Sequence, residues 1–270
     1  QTPVTLFLAF DYLSYDLFAL LRTPNFALKL EHIKGWSYQL IRGLFYAHSK
    51  GYIHRDIKSA NILVSSAGVV KIADWGLARS FPPSDSVKRL TLNVITLWYR
   101  PPELLLGRKN YDQKVDVWSA GCVIAEMFKN KGSLFQGADD PLQIREIWDL
   151  LGVPSPTSWA ATGECKEKYD KYTSERATNS PENNLNATMR RTARSHGQVS
   201  ESLLKLLNQL LCQDPEQRIS SKDAMDADYF FESPIMTDVE KMKNIMNFKL
   251  ENVHEKNVKE RKQMESEKGK

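Results

Sequence analysis

One run constrains this chain more than any other: His54-Arg55-Asp56-Ile57-Lys58-Ser59-Ala60-Asn61, followed thirteen residues past Asn61 by Asp74-Trp75-Gly76. Between them lie two short β-branched runs, Ile62 to Val64 and Val69 to Ile72, around Ser65-Ser66-Ala67-Gly68. That pattern predicts a hairpin. The loop between Asp56 and Asn61 lets both side chains point into one cleft. Further on stands Pro101-Pro102-Glu103. Asp56 or Asn61 alone reads equally well as a turn-capping residue. Four such residues in this order and spacing favour chemistry.

Composition sets the outer limits. At roughly 100–200 residues per domain, 270 residues make one large domain or two small ones. Apolar residues at 41% and charged residues at 26% exclude a chain disordered from end to end. The net charge, 37 − 33 = +4, is too small to argue for direct contact with nucleic acid. Cys122, Cys165 and Cys212 are far apart and form no CxxC pair, which argues against a disulfide framework or a zinc site and suits a reducing compartment. No run of about 18 apolar residues exists to span a membrane. Gln1 is not followed by a signal peptide, and the chain is expected to be cut from something longer.

From Leu30 to Ala47, the positions Ile33, Trp36, Leu40, Ile41 and Leu44 recur at three- and four-residue spacing and predict an amphipathic helix ended at Gly51. Val115 to Phe128 reads as a helix apolar nearly all round, hence central. Val4 to Phe10 has the length of a strand. Residues 152–199 are polar and carry Pro154, Pro156 and Pro181; an insertion with weak structure of its own is expected. Leu203, Leu204, Leu206, Leu207, Leu210 and Leu211 restore a helical core face, which Asp214-Pro215 stops. From Glu240 onward nine Lys/Arg stand against six Asp/Glu, which reads as a solvated tail. No internal repeat is visible.

Phosphoryl transfer to a hydroxyl needs a carboxylate to accept the proton, cations to hold the phosphates and charge to stabilise the moving group. Asp56 suits the first task. Lys58 brings a point charge to the transferring phosphate. Asn61 and Asp74 offer hard oxygen ligands to Mg²⁺.

The segment Thr96-Leu97-Trp98-Tyr99-Arg100-Pro101-Pro102-Glu103-Leu104-Leu105-Leu106-Gly107 resembles the end of the activation segment of cyclin-dependent protein kinases. Asp116-Val117-Trp118-Ser119-Ala120-Gly121-Cys122 resembles the start of their central helix, and the likeness runs from about Val4 to Phe231. The Thr96 to Gly107 segment with the preceding Val94-Ile95 is most similar to the transcription-associated branch, whose members phosphorylate the repeated tail of RNA polymerase II. The resemblance implies an α+β protein-kinase fold: a mainly helical large lobe over residues 17–231, with its insert at about 152–199, preceded by the last small-lobe strand and hinge over 1–16 and followed by a polar tail over 232–270. It implies ATP and Mg²⁺ as cofactors and a cyclin as partner. Substrates would be Ser/Thr-Pro sites, foremost in the polymerase tail. The expected site of action is the nucleus, with the cytoplasm second.

Residue by residue, Phe10 resembles the gatekeeper, and Asp11, Tyr12 and Leu13 the hinge whose backbone binds adenine. Leu63 resembles the adenine floor. Asp16 and Ala73 complete the nucleotide-facing set. Thr91 stands where the family carries its activating phosphothreonine, and Arg55 and Arg79 resemble two of the arginines that clamp it. Val94, Ile95 and Arg100 resemble the residues that select proline after the phosphosite. Glu103 and Arg218 resemble a structural ion pair, and Asp116 an aspartate that holds the backbone at His54 and Arg55.

The chain also departs from the pattern. No glycine-rich loop, lysine strand or cyclin-contacting helix precedes Val4, so the small lobe is expected to be mostly absent from this sequence. Trp75 replaces the usual phenylalanine, and the larger indole is expected to overpack its slot by about 1–3 kcal/mol. Asn93 stands where cell-cycle members carry a glutamate. Two other readings stay open: a pseudokinase or truncated isoform that binds cyclin-like partners without catalysis, and a kinase of a neighbouring family. The neighbouring families usually carry a tyrosine beside the phosphothreonine, and residues 80–96 contain none.

Overall fold

The computed structural model describes residues 9–24, 26, 28–81, 91, 94–129, 132–175, 182–193 and 199–237. Two long helices set the frame. Helix α2 spans Leu30–Ser49 and turns Ile33, Trp36, Leu40, Ile41 and Leu44 inward, each at 1% exposure or less. Its predecessor α1 (Leu17–Arg22) is N-capped by Asp16, whose Oδ1 accepts from Ala19 N at 2.8 Å. Helix α4 (Lys114–Phe128) is buried along its whole length from Val115 to Phe128, as its all-round apolar pattern requires. Gly121 lets it cross the leucine-rich helix α8 (Glu201–Leu210) closely, because a Cβ there would stand 2.9 Å from the Leu211 side chain. Helix α8 buries five leucines, each contributing about 1.5–3 kcal/mol by leaving water. It ends at Leu210, before the expected stop at Asp214-Pro215.

The predicted hairpin forms. Strands β3 (Ile62–Val64) and β4 (Val70–Ile72) pair antiparallel with Leu63 opposite Lys71, around a turn in which Gly68 N donates to Ser65 O at 2.9 Å. Strand β1 (Tyr15–Asp16) adds to the other edge of β3. Ile62 and Val64 face the core while Leu63 between them is half-buried on the opposite face. A second small sheet pairs β2 (Tyr52–Ile53) with β5 (Arg79–Ser80). Short helix α3 (Pro102–Leu105) leads towards α4, and α5 (Asp140–Leu151) follows it.

Residues 152–199 differ from expectation. They carry α6 (Lys166–Ser174) and α7 (Leu185–Thr192) and bury Cys165, Tyr169, Leu185 and Met189 at 4% exposure or less. Sparse apolar residues at helical spacing suffice there, because each helix presents only one narrow edge to the core. Helix α9 (Ser221–Met225) packs against α2. The strand expected at Val4 to Phe10 and the tail expected from Glu240 lie largely or wholly outside the described residues.

Candidate active site

Asp56 lies in the loop between β2 and β3, and its carboxylate accepts four hydrogen bonds. Its Oδ2 takes Lys58 Nζ at 2.6 Å and Asn61 Nδ2 at 3.1 Å. Its Oδ1 takes Thr96 Oγ1 at 2.8 Å and Thr96 N at 3.2 Å. Lys58 Nζ also donates to Thr96 Oγ1 at 3.1 Å. A carboxylate, an ammonium and a hydroxyl therefore meet at one point, at the rim of the buried core.

The loop is held from below by one buried carboxylate. Asp116 Oδ2 accepts from His54 N at 2.8 Å and from His48 Nε2 at 3.0 Å, and Oδ1 from Arg55 N at 2.8 Å. Arg55 sits at φ 64°, a left-handed conformation costly for a residue with a long side chain. The Asp116 carboxylate holds the strain in place. His54 donates from Nε2 to Ala73 O at 3.0 Å and accepts Asp56 N at Nδ1 at 3.2 Å. Burial lowers its pKa, which suits this one-proton bonding pattern.

Asn61 gives its amide nitrogen to Asp56, including the backbone carbonyl at 2.8 Å, which leaves Oδ1 as its free type of donor atom for a hard cation. Its carbonyl accepts from Ala73 N at 2.9 Å, so Asp74 follows directly on a backbone tied to Asn61. Asp74 is exposed and left-handed at φ 61°. Gly76 gives its carboxylate room: a Cβ there would crowd Asp74 Oδ1 at 3.3 Å. One amide oxygen and one carboxylate fit Mg²⁺, with water and phosphate oxygens completing the shell. Among the described residues no cluster of three His, Cys, Asp or Glu side chains forms a site for a softer metal.

Trp75 does not overpack. Its indole meets the edge of His54 at 4.6 Å between ring centroids, donates Nε1 to Ile72 O at 3.1 Å, and keeps 40% of its surface exposed. The open side absorbs the extra ring.

The nucleotide-facing set is divided. Leu13 is buried, and Asp16 is buried at the α1 N-cap with one carboxylate oxygen committed there. Leu63 and Ala73 are half-buried. Phe10 and Tyr12 stand 80% and 64% exposed rather than walled in. Asp11 pairs with Lys71 at 2.5 Å, which lowers its pKa.

Thr91 is exposed, and its carbonyl accepts from Tyr111 Oη at 2.8 Å; that hydroxyl accepts from Arg55 Nη1 at 3.2 Å. Thr91 and Arg55 thus share one intermediary. Arg79 is exposed on β5. Residues 92 and 93, with Asn93, lie outside the described residues. Ile95 sits at φ 67° although it is β-branched and buried, and its carbonyl accepts from Arg100 Nε at 3.2 Å and Nη2 at 3.0 Å. Val94 O accepts from Arg100 Nε at 3.2 Å. Glu103 and Arg218 form the expected pair, bidentate at 2.7 and 2.8 Å and fully buried.

A carboxylate held by a lysine and a threonine, an asparagine and an aspartate on one hairpin, and a strained segment ending in a buried Glu–Arg pair define a protein kinase. The protein kinase domain family matches residues 1–230. The chain belongs to that family, on its cyclin-dependent branch. It is 39% identical over 234 residues to cyclin-dependent kinase C-2 of Oryza sativa, covering 87% of this chain and 43% of that one. It is 35% identical to cyclin-dependent kinase 9 of Danio rerio, covering 90% and 63%. Among solved structures it resembles the yeast RNA Pol II CTD kinase CTDK-1 complex with a TM-score of 0.74 at 35% identity, covering 85% and 72%. It also resembles the CAK complex of Chaetomium thermophilum bound to ATP-gamma-S, with a TM-score of 0.73 at 32% identity, covering 85% and 68%. The chain spans less than half the length of the rice relatives it matches.

Several residues that shape the site carry no local signal. Thr96 on Asp56, Asp140 on Arg100, and the buried set Ser59, Tyr99 and Glu126 are joined only by the fold. Their partners lie 27 to 40 residues away in sequence.

Proposed function

We propose that this chain carries the large lobe and hinge of a proline-directed serine/threonine protein kinase that works with a cyclin. Its leading substrates are Ser-Pro repeats of the kind found in the RNA polymerase II tail, and its compartment is the nucleus. The observation that carries the reading is the grouping of Asp56, Lys58 and Thr96 within 3.2 Å of one another. Asp56 accepts the proton of the substrate hydroxyl as its oxygen attacks the terminal phosphorus of ATP. Lys58 offsets the charge on the moving group. Asn61 and Asp74 would hold Mg²⁺, which neutralises the phosphates when bound. Exposed Phe10, Tyr12, Trp75 and Leu77 support a small lobe seated over the cleft.

The test is phosphate transfer from ATP to a Ser-Pro peptide by the kinase completed with its small lobe and cyclin. Asp56→Asn is expected to lower turnover about 100- to 10,000-fold with ATP binding retained. Near-normal turnover in that variant would overturn the reading.

A further inference from the structure

Ser59 stands three residues past the base, in the same loop, with no exposed surface. Its Oγ lies 3.0 Å from the hydroxyl of Tyr99, four residues past Ile95 in the segment that carries the proline-selecting geometry. Tyr99 Oη in turn donates to Glu126 Oε2 at 2.7 Å, and Ser133 Oγ lies 3.2 Å from it. The phenol has one proton, and an acceptor-only carboxylate at that distance claims it. Burial and the nearby Glu126 charge raise the Tyr99 pKa, so the proton stays on the phenol. The Ser59 hydroxyl is then left as the donor to Tyr99. Glu126 is itself buried on α4 and is reached by Arg22 from α1 at 3.4 Å.

Two sets of contacts thus join the catalytic loop to the segment around Ile95. One is at the cleft, where Thr96 and Lys58 sit on Asp56; a substrate hydroxyl seeking Asp56 must compete with it. The other is the Ser59–Tyr99 bond, which no substrate reaches. We infer that Ser59 is a positioning residue: its buried hydrogen bond to Tyr99 holds the peptide-docking segment in register with the base while the cleft contacts are exchanged for substrate. The inference rests on the kinase reading above.

Ser59→Ala, Tyr99→Phe and the double variant test it by two readouts. A single neutral hydrogen bond corresponds to about a 3- to 10-fold effect, so Ser59→Ala is expected to raise the KM for a Ser-Pro peptide by that factor, with the KM for ATP nearly unmoved. The double variant is expected to be no worse than Tyr99→Phe alone, because both changes break one bond. Ser59→Thr, which keeps the hydroxyl, is expected to recover part of the loss. Independently of activity, amide exchange across residues 96–100 is expected to quicken in Ser59→Ala, with that of 203–210 unchanged. An unchanged peptide KM and unchanged exchange, or effects of the two single variants that add in full, would overturn the inference. A wild-type enzyme inactive on every peptide would overturn the kinase reading instead, and the exchange experiment would still decide the role of Ser59.

Discussion

Arg100 spends two of its guanidinium nitrogens on a single atom, the carbonyl oxygen of Ile95, at 3.2 and 3.0 Å. That carbonyl is turned by a backbone at φ 67° and then occupied. On the proposed reading, a peptide amide arriving beside it would lose water and find no acceptor there. Proline has no amide hydrogen to leave stranded.

The third guanidinium nitrogen, Nη1, is held by Asp140 Oδ1 at 2.8 Å, across to the first residue of α5. Asp140→Ala releases that anchor. The pair is partly exposed, with side chains 15% and 33% accessible, so its contribution is modest. The preference for Ser-Pro over Ser-Ala peptides is expected to fall about two- to fivefold. An unchanged preference would show that the Ile95 contact alone fixes Arg100.

Glu103 and Arg218 close the other end of the segment. Arg218 also donates to Cys212 O at 2.8 Å, Lys114 O at 3.0 Å and Gln213 O at 3.4 Å, so its loss strands a carboxylate and three carbonyls. Arg218→Met is expected to destabilise the fold by about 3–5 kcal/mol, read from the urea midpoint. The pair Glu103→Leu with Arg218→Met is expected to cost less than Arg218→Met alone, since no charge is left unpaired. A larger loss in the double variant would contradict this.

Burial lowers the pKa of His54, and also that of His32. The sign follows directly. As pH falls through about 6.5, the unfolded chain binds a proton that the native imidazoles refuse, so stability falls, by at most about 1.36 kcal/mol per pH unit for each group. The loss stops below the lowered native pKa. Denaturant unfolding between pH 7.5 and 5.5 is expected to show this decline, with a shallower slope in His32→Gln. Stability that is flat or rises on acidification across that window would contradict the assignment.

Much of the frame was legible in the residues themselves. Helix α2, the all-round buried α4 and the hairpin β3–β4 follow from local period and turn residues, which need no distant partner to interpret. The proposed catalytic set could be picked out because Asp56, Lys58, Asn61 and Asp74 crowd into one loop–hairpin–loop unit. Residues 152–199 misled because Tyr169, Leu185 and Met189 are few, and each matters only for the core it meets. The apparent overpacking at Trp75 depended on how open one side of the ring is, which no sequence states. Asp140 on Arg100, and Ser59 with Tyr99 on Glu126, are tertiary pairs whose members look like ordinary capping, loop and core residues until the chain is folded.

The proposed substrate choice depends on the Ile95–Arg100 geometry selecting proline. The most direct measurement compares kcat/KM for matched Ser-Pro and Ser-Ala peptides with the kinase completed by its small lobe and cyclin. An amide left without an acceptor costs about 1–3 kcal/mol, so Ser-Pro is predicted to be favoured by about 5- to 150-fold, and Arg100→Ala to erase most of that margin. Equal phosphorylation of the two peptides by the wild-type enzyme would contradict the account.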